Sequence, residues 1–439
     1  MAFRKFSKPL AGLVHDRRGT VVLIFALALV PMLGVVGLSI DYTLAMVSKS
    51  RMQTALDAAA LAGVRAARVV TSEKGGTLEK AKTAAAAAAQ QYLATNLPNI
   101  SYLGQPSNKV AFVIKDGNID ANLSYDASMT TSIARLFAID SFRLRGQTAV
   151  SVSLPRYVNT YLLLDNSASM GLAATEASKA ELRRLTKDLK WSVAKNCEFA
   201  CHGPGPETQS TADIASKNNI KLRIHTLRDA AIEAVRSAED AQRVPGQFKF
   251  EVRTFERQTT VQHAMSDDFS SLVKKLEAID MTRNSTQGNT MLDKALETFA
   301  ADLARNGTTS GDGYLVDKPK IVVVLVSDAV SDDRTVDEYE WKKPLSDRAK
   351  PYSAALDTRA CTDIKNRDVT LVAIETKYQA IPDNTSYTRF VQPWIPKISS
   401  QMKTCASPDN YYLADNADTI HESFKTVFEK TVLPTRVTR

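Results

Sequence analysis

Residues 160–170 read Thr-Tyr-Leu-Leu-Leu-Asp-Asn-Ser-Ala-Ser-Met. An aliphatic run ends on a carboxylate, and two hydroxyls follow at alternate positions. A strand buried on both faces reads as such a continuous run and belongs in a parallel sheet covered by helices. In open parallel sheets, ligands bind beyond the carboxyl ends of the strands, which is where Asp165, Ser167 and Ser169 fall. The loop therefore offers one carboxylate and two hydroxyls, hard oxygen donors suited to Mg²⁺.

Downstream, the alternation of strand and helix continues. LRDAAIEAVRSAEDA, FSSLVKKLEAI, TMLDKALETFAADLA and TIHESFKTVFEKTV have helical periodicity, while FKFEVRTFER, TTVQHAM, KIVVVLVSD and RDVTLVAIET read as strands. The pattern predicts an α/β, doubly wound domain over 156–435, with a mainly parallel sheet covered on both faces. The polar, breaker-rich stretch 172–220 and the charged stretch 329–358 read as insertions. Two further segments bear on the site. Gly288-Asn289-Thr290 opens a helix and offers a hydroxyl, and Asp328 ends the strand IVVVLVS with a second carboxylate. Asp and Ser in such loops often do no more than cap helices. Here three separate segments place oxygen donors at strand ends or helix starts.

Upstream, Thr20 to Ile40 is a run of 21 residues without a charge and with one proline, Pro31. As a helix it spans roughly 31 Å, enough for a bilayer core. It is too long for a cleaved leader, and no Ala-x-Ala-like site closes it. Residues 1–19 form a basic tail; Arg4, Lys5, Lys8, Arg17 and Arg18 against Asp16 supply +4 of the chain's net +8. Only Lys49 and Arg51 follow closely, so the positive-inside rule places the tail in the cytoplasm and the bulk outside. This local origin of the basic excess, with no nucleic-acid-binding motif behind it, argues against nucleic acid as a partner. Helical spacing continues past the span to about residue 68, Gly75-Gly76 breaks it, and 78–96 reads as a second helix. Residues 108–153 then change period. KVAFVI, an Asp116-Gly117 turn and NIDANLSY predict a hairpin, followed by a short helix around TSIARLFAI and a strand pair near FRLRG and TAVSVSL. The region 42–155 thus has a pilin-like α+β plan.

Cys197, Cys201, Cys361 and Cys405 all lie in the exported part, where disulfides persist, and four cysteines allow three pairings. The Cys197-x₃-Cys201-His202 cluster lacks the remaining ligands of a zinc site and reads better as a short-loop disulfide. The five histidines have no metal-binding spacing. There is no nucleophile elbow, P-loop or dinucleotide fingerprint, so neither an enzyme nor a small-molecule substrate is expected.

With Asp165-x-Ser167-x-Ser169, Thr290 and Asp328 in this order, the chain resembles the von Willebrand factor A family. The resemblance implies a metal-ion-dependent adhesion site. In it the two serines and the threonine contact Mg²⁺, the aspartates act through water, and one position stays open for a partner's carboxylate. Asp328 is followed by Ala329, where the family usually has glycine. The N-terminal stretch, with Gly19 before the span, Phe25-Ala26-Leu27 and Pro31 within it, the Asp41-Tyr42 exit and Met52-Gln53-Thr54-Ala55-Leu56-Asp57-Ala58-Ala59-Ala60-Leu61-Ala62, resembles the TadE/TadG-like proteins of tight-adherence (Flp) pilus assembly. The TadG type adds a von Willebrand A domain after a pilin-like region. It also tends to carry a Cys before the last strand and a Cys-Ala-Ser-x₄-Tyr-Tyr segment, matched by Cys361 and by Cys405-Ala406-Ser407 to Tyr411-Tyr412. That match favours a Cys361–Cys405 bond, the two flanking a helix–strand–helix unit. Prepilin relatives place Glu five residues after the processing glycine. Ile24 stands there, so the chain is expected to keep its first 18 residues. The resemblance implies a single-pass bacterial inner-membrane protein of pilus biogenesis that binds a protein partner. A stand-alone adhesin unrelated to pili is the alternative.

Overall fold

The computed structural model describes residues 19–97, 103–189, 211–281, 290–331, 354–378 and 387–432. The chain forms two compact units, Met1–Leu154 and Pro155–Arg439.

The first unit begins with α1 (Gly19–Ser72), a single helix of 54 residues. Its apolar part is long and hydrophobic enough to cross a membrane, and only 11% of that window is buried. Beyond it, Ala45, Met52, Leu56, Ala59, Ala60, Val64 and Ala67 are buried, a stripe at helical spacing. The stripe packs on α2 (Leu78–Asn96), which buries Ala81, Ala85, Ala89 and Leu93 at every fourth position. Thr77 caps α2 by accepting the Lys80 N–H at 3.1 Å. Small residues bring the helices close: a Cβ on Gly63 would stand 2.8 Å from the Ala85 carbonyl oxygen and 2.2 Å from the Phe112 ring.

An antiparallel sheet completes this unit. β1 (Ser107–Lys115) and β2 (Asn118–Thr130) meet at Asp116-Gly117. Both turn residues have positive φ, 51° and 76°, the conformation a tight two-residue hairpin requires. β3 (Ser141–Ser153) is one continuous strand along β2, not the predicted strand pair. Gly146 suggested the break. Instead it admits the Tyr125 ring of β2, which a Cβ at Gly146 would meet at 2.4 Å.

The second unit is built on a six-stranded sheet. Its strands are β4 (Val158–Asp165), β5 (Phe248–Phe255), β6 (Thr259–Ser266), β7 (Lys320–Ser327), β10 (Thr370–Thr376) and β11 (Tyr411–Ala414). Their order is β11-β10-β7-β4-β5-β6, and all neighbours are parallel except β5 and β6. A small ladder of β8 (Val330–Ser331) with β9 (Ala354–Ala355) lies apart. This is a doubly wound α/β arrangement with one antiparallel edge strand.

Period-two alternation sorts the side chains to the two faces. Leu162, Leu164, Val322, Val324 and Val326 face a core with α5 (Arg223–Ala241), α6 (Phe269–Glu277) and α10 (Ala417–Val427). Leu163, Val323, Leu325 and Leu371 face another with α7 (Leu292–Arg305), α8 (Arg359–Lys365) and α9 (Ile395–Cys405). Within 172–220 lie two short helices, α3 (Glu176–Thr186) and α4 (Thr211–Lys217), which send Leu182, Ala212 and Ala215 into the first core. Cys361 in α8 and Cys405 in α9 form a disulfide with Cα atoms 5.0 Å apart. Cys197, Cys201, Gly288 and Asn289 fall outside the described residues.

Candidate metal centre

β4 and β7 run parallel in the middle of the sheet, with Leu164 opposite Val326. The next residues, Asp165 and Ser327, therefore end the two strands side by side. Ser327 Oγ donates to Asp165 Oδ2 at 2.7 Å. The Ser167 N–H donates to Asp165 Oδ1 at 2.9 Å, curling the loop back over the strand end. Ser167 Oγ and Ser169 Oγ then lie 2.9 Å apart. Ser169 sits in a 3-10 turn, Ala168–Gly171, whose exit is fixed when Arg223 N–H donates to Leu172 O at 2.9 Å.

Asp328 directly follows β7. Its Oδ1 accepts the Val330 N–H at 3.4 Å, a long bond. Its Oδ2 is buried and has no hydrogen-bond partner among the described residues. Ala329, next in the chain, has φ 61°, the left-handed region that glycine enters freely and alanine at a cost. Thr290 is buried just before α7. It is anchored near the sheet's carboxyl edge because Met291 N–H donates to Glu256 O, one residue past β5, at 2.7 Å. Asp165, Ser167, Ser169, Thr290 and Asp328 are all buried. The structure thus joins the first three by direct contacts and brings Asp328 next to them.

Two buried carboxylates side by side are costly as anions. Burial pushes both Asp165 and Asp328 above the ordinary carboxylate range, and the charge of Asp328 pushes Asp165 further. The Ser169 hydroxyl and the Arg223 guanidinium oppose the rise at Asp328. Arg223 opens α5 and is itself buried, with Nη2 donating to Lys377 O at 2.5 Å and Nη1 without a partner among the described residues. A buried pair of this kind is neutralised by a proton or by a cation.

The donor set fits a hard divalent ion. It consists of carboxylate and hydroxyl oxygens, with no thiolate or imidazole. Among the described residues no group of three or more His, Cys, Asp or Glu gathers as a metal cluster, so an ion here would need the hydroxyls as ligands. The unpaired Asp328 Oδ2 is the strongest sign of fit, because a buried carboxylate oxygen left without a donor calls for a positive partner. Sequence reasoning did not find Ser327, Arg223 or Tyr378, the last of which also lowers the pKa of Asp328. The signal at Ser327 was a hydroxyl at the end of an aliphatic strand, directly before Asp328. Nothing local marks Arg223, which reaches Asp328 through the fold.

Residues 19–66 match the family model described as "Putative Flp pilus-assembly TadE/G-like". No curated protein matches the chain. Among solved structures, similarity extends to the vWF domain of a type V pili tip protein from Porphyromonas gingivalis, at 9% identity over 63% of this chain and 95% of that one, with TM-score 0.35. It extends also to the PilB minor pilin from Streptococcus sanguinis, at 11% identity over 76% and 79%, with TM-score 0.35. A third is proximal thread matrix protein 1 from the mussel byssus, solved with a zinc-occupied MIDAS motif, at 12% identity over 63% and 48%, with TM-score 0.36. This chain thus spans about half the length of the mussel protein.

Proposed function

From a TadE/G-like N-terminal segment joined to a von Willebrand A-type fold, we propose that the chain is a single-pass inner-membrane protein of Flp/Tad pilus biogenesis that binds a protein partner through a Mg²⁺-dependent adhesion site. Asp165, Ser167, Ser169, Thr290 and Asp328 would hold the ion. When bound, the ion supplies an electrophilic position for a carboxylate from the partner.

The chain's residues set the charge of that contact. Asp165 and Asp328 contribute two negative charges, the serines and the threonine none, and Arg223 one positive. With a divalent cation the site carries a net charge of one plus, which favours an anionic partner group over a neutral one. Ser327 and the Ser167 N–H hold the Asp165 carboxylate in place, so the donors are preorganised. The function is binding, not catalysis.

The observation that carries this reading is the pair of buried carboxylates at the ends of adjacent central strands, one with an oxygen left unpaired. The test is capture of partners from intact envelopes by the tagged chain, with Mg²⁺ and with chelator. A partner retained only with Mg²⁺, and lost in Asp165→Ala and Asp328→Ala variants that keep the parent's circular dichroism, supports the proposal. Capture indifferent to chelator and to both substitutions contradicts it.

A further inference from the structure

Residues 132–139, Ser-Ile-Ala-Arg-Leu-Phe-Ala-Ile, lie between β2 and β3 and contain a 3-10 turn, Ala134–Phe137. A loop in water is ordinarily polar. This one exposes Leu136 (78%), Phe137 (47%) and Ile139 (37%).

The loop is seated on the apolar part of α1. A Cβ added at Gly34 would stand 2.5 Å from Phe137 Cζ, and one at Gly37 would stand 2.1 Å from Ile133 Cγ2. Both side chains therefore rest on bare helix backbone, inside the uncharged run Thr20–Ile40. Gly34 lies seven residues before Asp41, a descent of about 10 Å along the helix. At this level α1 exposes Val30, Leu33 and Val36, a surface as apolar as the loop's own.

Six of the loop's eight backbone N–H groups have partners within this unit. Asp41 is fully buried, and its carboxylate accepts the N–H groups of Ser132, Ile133 and Ala134 at 3.1, 2.9 and 2.7 Å. Leu136 N–H donates to Ile133 O, Ala138 N–H to Arg135 O and Ile139 N–H to Ala134 O. The Thr131 N–H donates to Asp140 O, and its hydroxyl to Ile139 O. Hydrocarbon tolerates irregular backbone only where its polar groups find partners inside the protein.

We propose that the 132–139 loop is a second membrane contact. It inserts Leu136, Phe137 and Ile139 among the acyl chains of the leaflet from which α1 emerges, while Arg135 reaches the headgroup phosphates. The occupant of this apolar patch is lipid because the patch continues, at the same depth, the surface that α1 presents to the bilayer. The inference rests on α1 spanning the membrane and is independent of the metal site.

The test uses the full chain in vesicles of phosphatidylcholine and phosphatidylglycerol with brominated acyl chains. Three variants each add one Trp to the chain's three: Leu136→Trp in the loop, Leu29→Trp in the span and Leu413→Trp on β11. Leu136 is exposed, so the substitution removes little packing. The added emission of Leu136→Trp should be lost to brominated lipid as fully as that of Leu29→Trp, and resist aqueous iodide. Leu413→Trp should show the reverse. Quenching of Leu29→Trp by bromolipid with Leu136→Trp quenched only by iodide, or by neither because a protein covers it, overturns the loop contact. Failure of Leu29→Trp to be quenched by bromolipid overturns the span and the loop together.

Discussion

Asp328 carries a buried carboxylate oxygen with no hydrogen-bond donor among the described residues, beside a second buried carboxylate. Replacing it with Asn removes a charge without changing shape. A ligand at one hundred times its dissociation constant stabilises the folded state by about 2.7 kcal/mol. The parent should gain roughly that in thermal unfolding at such a Mg²⁺ concentration, and Asp328→Asn should gain nothing. An equal gain in both would detach the ion from this residue. Arg223 acts in the opposite sense, since its positive charge lies near Asp328 and competes with a cation. A unit charge within about 10 Å at an effective dielectric near 20 is worth more than 1 kcal/mol, so Arg223→Gln should tighten Mg²⁺ binding on the order of tenfold. Weaker binding in that variant would instead make Arg223 a support of the site. At this scale the sequence singled out residues that the fold brings together, Asp165 to Ser169 and Asp328. It hid Arg223 and Ser327, because their role arises from contacts between elements far apart in the chain.

Among the elements, β4 and β7 were legible because fully buried strands are written as aliphatic runs. β3 was not read as one strand, because an internal glycine signals a break locally and only the Tyr125 ring across the ladder explains it. The α8–β10–α9 segment is closed by Cys361 and Cys405, 44 residues apart. In the chain-entropy model that cross-link is worth about 4 kcal/mol. Replacing both cysteines with alanine should lower stability by some 2–4 kcal/mol, measured by denaturant unfolding. No loss would mean that the bond constrains the unfolded chain little. β10 also carries Glu375, one residue before its end, a buried carboxylate bonded by Ser399 Oγ at 2.9 Å and Tyr411 Oη at 2.8 Å. Burial raises its pKa above the usual glutamate value of 4.5. Between 4.5 and the raised value, the folded state holds the proton more tightly than the unfolded state. Stability from this group therefore falls as pH rises through that window. Glu375→Gln should narrow the gap in melting temperature between acidic and neutral pH. A gap unchanged by the substitution would place the pH dependence elsewhere.

For the whole molecule, the apolar helix, the basic residues before it and the expected export of the bulk make a single prediction about topology. The apolar helix was legible because a bilayer sets the length of such a run, and the charge bias of the preceding residues predicts its direction. What sequence alone did not show is that the loop after β2 returns to the helix, since that depends on tertiary contact with Gly34 and Gly37. A phosphatase that is active only outside the cytoplasm, fused after Arg439, should be active. A well-expressed but inactive fusion would reverse the topology. The central claim, that this protein holds a divalent cation in order to grip a partner, is tested most directly by calorimetric titration of Mg²⁺ into the detergent-solubilised full chain after chelator treatment. One saturable site is predicted in the parent and none in the Asp165→Asn, Asp328→Asn double variant, with both chains giving the same circular dichroism. Binding of equal strength in the folded double variant, or no binding in the parent, would contradict it.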